Sequence, residues 1–73
     1  MEYQDKYEEL LVILLNPIDL DRDGKKFLLR EEFEKLYVRD NKISGTRIRK
    51  FMQILRKKAE EIRQDVQNHR DML

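Results

Sequence analysis

The stretch TRIRKFMQILRKKAEEIRQDVQNHRDML, residues Thr46–Leu73, contains neither glycine nor proline and decides the fold. When it is placed on a helix, its apolar residues fall within an arc of about 100°. They are Ile48, Phe51, Met52, Leu55, Ala59, Ile62, Val66 and Leu73. The pattern predicts one long helix at about 45–73, roughly 42 Å in length at 1.5 Å per residue. We expect Ser44 to be its N-cap, because a serine hydroxyl can accept a hydrogen bond from a free backbone N–H.

Two shorter helices are predicted before the long one. Apolar residues recur at helical spacing first at Tyr3, Tyr7, Leu10, Leu11 and Leu14, and then at Leu29, Phe33, Leu36 and Tyr37. This spacing predicts helices at about 3–15 and 28–38. The first should end before Pro17, because proline disfavours helical backbone at the residue before it. We expect the aromatic residues of both stripes to lie in the core.

No part of the chain shows a clear strand pattern, so the predicted fold class is all-α. The 73 residues suffice for one domain, and we predict a single helical domain over 1–73, with two short helices and one long C-terminal helix. The short helices cannot cover the whole apolar stripe of the long one. We therefore expect a homodimer or higher oligomer that forms a helical bundle, with Ile62 and Val66 at the contact.

The composition excludes several classes of protein. Cysteine is absent, which removes disulfides, cysteine-ligated zinc and thiol catalysis. The longest apolar run, Leu10–Leu15, is far too short to cross a membrane. No nucleophile can be paired with the only histidine, His69, to form a catalytic nucleophile–base pair. We predict a cytoplasmic protein that is not an enzyme, with no cofactor and no membrane partner.

The loop at 16–26 is polar and acidic. It carries alternating aspartates before a glycine, namely Asp19, Asp21 and Asp23 before Gly24. This is how a calcium-binding EF-hand loop begins. If Asp19 is the first loop position, Lys26 stands where an apolar residue belongs, and Arg30 stands where the bidentate glutamate belongs. We therefore predict a solvated acidic loop and no metal site, and keep a calcium-responsive protein as an alternative.

The first half of the long helix is basic. Seven basic residues and no acidic one occur in the segment 42–58, which covers the preceding turn and this first half: Lys42, Arg47, Arg49, Lys50, Arg56, Lys57 and Lys58. Arg49, Arg56 and Arg63 are spaced by seven, so they form a row that drifts only about 20° per step. Such a row can follow a phosphate backbone. The alternative is an ordinary solvated face with Arg56–Glu60 and Lys57–Glu61 ion pairs.

The segment KISGTRIRKF, residues 42–51, resembles the signature of the small helical subunit of type III-A CRISPR–Cas (Csm) effector complexes. In that family a hydroxyl-rich turn opens a helix that carries Ile-Arg-Lys-Phe. Here Ser44 and Thr46 supply the hydroxyls. The resemblance implies a non-enzymatic structural subunit that self-associates. Its implied partners are CRISPR RNA, target RNA and other effector-complex subunits, and its implied role is antiviral defense.

The predicted nucleic-acid-binding residues come from two sources. The resemblance carries Arg49 and Lys50 and, by position, Arg47. The basic helix face adds Lys42, Arg56 and Lys57. The sequence therefore predicts binding to an RNA backbone without base readout. A helical protein–protein interaction module, such as a dimeric regulator, is the alternative function.

Overall fold

The computed structural model describes residues 3–73, and the side chains of residues 6–73. The elements along the chain are α1 (Tyr3–Leu15), β1 (Ile18–Asp19), β2 (Lys26–Phe27), α2 (Leu29–Tyr37) and α3 (Lys42–Asp71). The predicted all-α class is confirmed, with one long C-terminal helix after two short ones. None of the helices among residues 3–73 has the length and apolar character needed to span a membrane.

The loop at 16–26 contains a small antiparallel hairpin that the sequence analysis did not predict. Ile18 pairs with Phe27, and Asp19 pairs with Lys26. Strands of two residues are too short to show an alternating pattern, so the hairpin could not be recognised from hydrophobic periodicity. Both Ile18 and Phe27 are partly buried and pack against the core. The hairpin is therefore packed against the core as part of the fold.

The carboxylates of the loop close its own turn. Asp19 accepts hydrogen bonds from the backbone N–H of Asp23 at 3.2 Å and of Gly24 at 2.7 Å. Asp23 accepts one from the N–H of Lys25 at 3.0 Å. Arg22 and Gly24 adopt left-handed backbone with φ of 59° and 87°, as tight turns of this kind require. Among the residues described, no group of three or more ligating side chains could hold a metal ion.

Only part of the expected aromatic core forms. Phe51 is completely buried, and the core cluster joins it to Ile13 and Leu29. Phe33 and Tyr37 stack on each other with ring centroids 6.0 Å apart, but they are 39% and 74% exposed. Tyr7 of α1 is also 62% exposed, so the predicted place of all three residues in the core is wrong. The buried side of α2 carries Leu29 and Glu32 instead.

The long helix begins three residues earlier than predicted. Asn41 is its N-cap, and the side-chain oxygen accepts a hydrogen bond from the N–H of Ile43 at 3.0 Å. Ser44, the predicted cap, lies inside the first turn and is completely buried. Asp40 has a φ of 54°, which turns the chain sharply before the cap. Asparagine is as good a cap as serine, so cap preference alone could not choose between them.

The distal half of α3 extends beyond the core. The molecule measures 50 × 20 × 18 Å, and its length follows from α3. Val66 is more than half exposed, whereas Ile62 is partly covered. The predicted dimer is not shown, because the structure contains a single chain. The one-domain organisation also stays a prediction. The side chain of Tyr3, expected in the core, lies outside the described residues.

Candidate nucleic-acid interface

Arg47, one of the predicted binding residues, is paired with a buried carboxylate. Glu32 is 1% exposed, and its Oε1 accepts a hydrogen bond from Arg47 Nη1 at 3.1 Å. Its Oε2 accepts another from Lys35 Nζ at 3.2 Å. The Arg47 guanidinium also lies over the ring of Phe27, 4.1 Å from its centroid. Arg47 therefore joins α2, α3 and the hairpin, and a phosphate would have to break these contacts to bind it.

The surroundings of Glu32 determine its charge state. Burial raises the pKa of Glu32, but hydrogen bonds from Arg47 and Lys35 outweigh that effect and hold it below its ordinary value. The hydroxyl of Ser44 also approaches Glu32 and helps to lower this pKa, although its geometry falls short of a hydrogen bond. Glu32 is therefore ionised at neutral pH and keeps Arg47 in place.

The acidic N-terminal part of the chain neutralises two more basic residues of α3. Lys50 Nζ lies 2.5 Å from Asp21 Oδ1, in the turn of the hairpin. Lys58 Nζ lies 3.1 Å from Glu9 Oε2 of α1 and 2.9 Å from Glu61 on α3 itself. Acidic residues of α1 and of the loop therefore neutralise part of the positive charge of α3.

Four of the six predicted binding residues remain without such partners. They are Lys42, Arg49, Arg56 and Lys57, and all four are exposed. Within residues 6–73 none of them forms a salt bridge. The ion pairs expected with Glu60 and Glu61 do not form, and Glu61 pairs with Lys58 instead.

Lys42, Arg49 and Arg56 lie on the outer face of α3, and Lys57 lies at the edge of that face, beside the hairpin turn. The inner face is marked by Ser44 and Phe51, which are completely buried and spaced by seven. Arg49 stands two positions before Phe51, so about 200° of helix rotation separates them. Arg56 lies on nearly the same azimuth as Arg49, because a step of seven drifts only about 20°. The packing of α1, α2 and the hairpin on the inner face therefore leaves this row open to solvent.

Comparison with known protein families decides the affiliation of the chain. The family model of histone H1-like protein Hc1 matches residues 28–72, which include all of α2 and α3. This chain belongs to that family. No curated protein matches the chain, and no solved structure does. The hairpin and α1 precede the matched residues.

The resemblance to the CRISPR–Cas subunit is wrong, because the family match contradicts it. That resemblance rested on residues 42–51, where a hydroxyl-rich turn was expected to precede a helix. In the structure Ser44 and Thr46 already lie inside α3. The predicted partners, CRISPR RNA, target RNA and effector-complex subunits, and the predicted role in antiviral defense are corrected with it. The dimeric-regulator alternative is no better supported.

Sequence reasoning also missed the structural part played by Arg47. One signal was present: Glu32 occurs on the same stripe of α2 as Leu29 and Leu36, at a position that faces the core. An acidic residue on a buried face requires a cationic partner, because an unpaired buried charge is costly. The partner could not be identified from sequence, since Arg47 is 15 residues away along the chain.

Proposed function

We propose that this protein is a non-enzymatic, histone H1-like protein that binds the backbone of DNA through the outer face of α3. One observation carries the proposal. Lys42, Arg49, Arg56 and Lys57 are exposed and unpaired among the described residues, whereas Glu32, Asp21 and Glu9 are paired with other cations. Family membership supports DNA as the polyanion, because histone H1-like proteins are DNA-binding proteins of the nucleoid.

The direction of the helix reinforces this positive surface. The N-terminus of a helix carries about half a positive charge, so cations there are locally unfavourable. Yet Lys42 occupies the first turn of α3, which contains no acidic residue. An anionic partner would relieve both the repulsion between the basic residues and their unfavourable interaction with the helix dipole. The basic residues at this position are therefore unfavourable in the isolated helix and become favourable when a polyanion is bound.

The proposed contact reads charge and not base sequence. The only phenylalanine, tyrosine or tryptophan in α3 is Phe51, which is completely buried and unable to stack on a base. Lysine and arginine bind phosphate by charge, and arginine also through its fork of N–H donors. Phosphate contacts fix position on a duplex without conveying sequence information. A structural role of this kind needs no catalytic group. In a cell without a nucleus, a protein with this role resides in the cytoplasmic nucleoid.

A pair of charge-matched variants tests the proposal. In the first, Lys42, Arg49, Arg56 and Lys57 are all replaced by glutamine. In the second, the replaced residues are four basic residues of the hairpin and α2 that are also exposed: Arg22, Lys25, Lys26 and Arg30. Binding to a fluorescent DNA duplex is measured by anisotropy at low salt, and helicity is checked by circular dichroism.

The two variants have the same net charge and should differ in binding. We expect the α3 variant to lose at least about a hundredfold in affinity, because four phosphate contacts disappear. The hairpin variant should lose much less, since only long-range attraction is weakened. Equal losses in both variants would mean that the outer face of α3 is not the binding surface.

A further inference from the structure

The basic row on α3 is longer than the four proposed contact residues. Five basic residues occur along the whole helix at a constant spacing of seven: Lys42, Arg49, Arg56, Arg63 and Arg70. All five are exposed, and none forms a salt bridge within residues 6–73. We call this set the basic row. Arg63 and Arg70 belong to the half of α3 that the proposed function has not used.

The spacing fixes the dimensions of the basic row. Seven residues rise about 10.5 Å, so the row from Lys42 to Arg70 is about 42 Å long. The azimuth drifts about 20° per step, or about 80° over the full row. Because α3 is continuous from Lys42 to Asp71, the backbone positions of the five residues are held at fixed distances on one side of a rod.

With respect to residues 6–73, the distal half of the basic row is exposed like the proximal half. At this end α1 packs on α3 through Lys6, whose Nζ contacts Asp65 Oδ2 at 3.0 Å, and Arg70 borders the same hollow as Lys6 and Tyr7. Among the side chains of residues 6–73, two acidic ones lie near the row. Asp71 accepts a hydrogen bond from Gln67 at 3.0 Å, and Glu60 stands between Arg56 and Arg63. The row therefore stays positive over its length, with its weakest point at Glu60.

From this geometry, and on the basis of the proposed function, we infer that the ligand is a double helix at least one turn long. Arg63 and Arg70 are then further contact residues. One turn of B-DNA measures about 34–36 Å, slightly less than the row. A straight row cannot follow a single winding strand over that distance. It meets phosphates of both strands as they cross the same side of the duplex.

A duplex suits a rigid row better than a single strand does. Duplex DNA is stiff over about 150 base pairs, so aligning one turn of it against α3 costs little conformational entropy. It also presents one charge per roughly 1.7 Å of axis, whereas one strand presents one per 3.4 Å. A flexible single strand would have to be straightened along the row and would still offer half the charge density.

Binding as a function of duplex length tests the inference. Duplexes of 6, 12, 18 and 24 base pairs, each closed at one end by the same short hairpin loop so that the shortest remains paired, and single strands of the same lengths, are titrated with the parent protein by anisotropy. Affinity should rise steeply up to about 12 base pairs, the number that matches a row of about 42 Å. Above that length it should rise only slowly, as more equivalent registers become available. Single strands should bind at least about tenfold more weakly at every length.

The variant R63Q/R70Q identifies the residues responsible, with K26Q/R30Q as its control of equal charge. The distal variant should bind an 18-base-pair duplex about tenfold more weakly. Its steep rise should end near 6 base pairs, the length covered by Lys42 to Arg56. Its salt slope should fall by about 1.8, at about 0.9 per contact. The control should keep the parent's length dependence.

The outcomes separate the two proposals. If R63Q/R70Q and K26Q/R30Q behave alike, or if single strands bind as tightly as duplexes, the inference is overturned. The proposed function stands in that case, provided that replacing Lys42, Arg49, Arg56 and Lys57 still abolishes binding. If the parent binds no duplex of any length at low salt, the proposed function fails as well.

Discussion

Lys50 Nζ lies 2.5 Å from Asp21 Oδ1, so the hairpin turn holds a lysine at the edge of the basic face of α3. Both side chains are partly exposed, which makes the pair weak and open to competition from phosphate. Leu20, Asp21, Lys50 and Lys57 border one shallow hollow. The carboxylate of Asp21 therefore lies where a phosphate of a bound nucleic acid would contact Lys50.

Replacing Asp21 by asparagine should strengthen DNA binding. The change frees Lys50 and removes a negative charge beside Lys57, so we expect about three- to tenfold higher affinity at low salt. Asp23→Asn is the matched control, because it removes the same charge from the same turn but not from the contact with α3. If both variants gain equally in anisotropy titrations, the pair with Lys50 has no specific effect.

Replacing Glu32 should destabilise the fold. Glu32→Gln leaves one acceptor oxygen for the two cations Arg47 and Lys35 and turns the other oxygen into an NH2 donor, and we expect a loss of about 1–3 kcal/mol in the free energy of unfolding. Glu34→Gln is the control. Glu34 is exposed, and its Oε1 forms a single solvent-exposed ion pair with Arg39 Nη2 at 3.7 Å. Urea denaturation followed by circular dichroism measures both. Equal stability of the two variants would contradict the structural role given to Glu32.

The same carboxylate predicts how stability depends on pH. Its pKa in the folded protein lies below the ordinary value of 4.5. The folded state therefore binds the proton less readily than the unfolded state, and Glu32 stabilises the fold at pH above 4.5. That contribution is lost as pH falls through the lowered pKa. Thermal melts should show a smaller acid-induced drop for Glu32→Gln than for the parent, and identical curves would contradict this account.

Removing Glu60 should strengthen binding, because its negative charge interrupts the basic row between Arg56 and Arg63. We expect Glu60→Gln to raise duplex affinity about two- to fivefold at low salt, and the gain should shrink at high salt as the charges are screened. Glu8→Gln on α1 serves as the control, since Glu8 is exposed but not on α3. A gain from Glu8→Gln as large as that from Glu60→Gln would show that net charge alone matters.

The sequence predicted the helices because helical periodicity is a local property. The apolar arc that includes Ile48 and Leu55 located α3, and Pro17 located the end of α1. The hairpin was missed because its strands have two residues each. Tyr37 was misplaced because a short amphipathic stripe does not show which of its members a neighbouring helix will cover.

The candidate site was harder to predict, since it depends on distant pairs. Arg47 and Arg49 look alike in the sequence, yet one is fixed by Glu32 and the other is exposed. Lys50 and Asp21 are 29 residues apart, and no local pattern connects them. The family was also misjudged because a stretch of ten residues at the start of a basic helix does not distinguish one helical nucleic-acid-binding family from another.

The dependence of duplex binding on salt tests the central claim most directly. Each phosphate contact on duplex DNA contributes about −0.9 to the slope of log K against log salt. With four to six contacts from the outer face of α3, the parent protein should give a slope between about −3.6 and −5.4. A slope near zero, or binding that persists unchanged at high salt, would contradict an interface built from phosphate contacts.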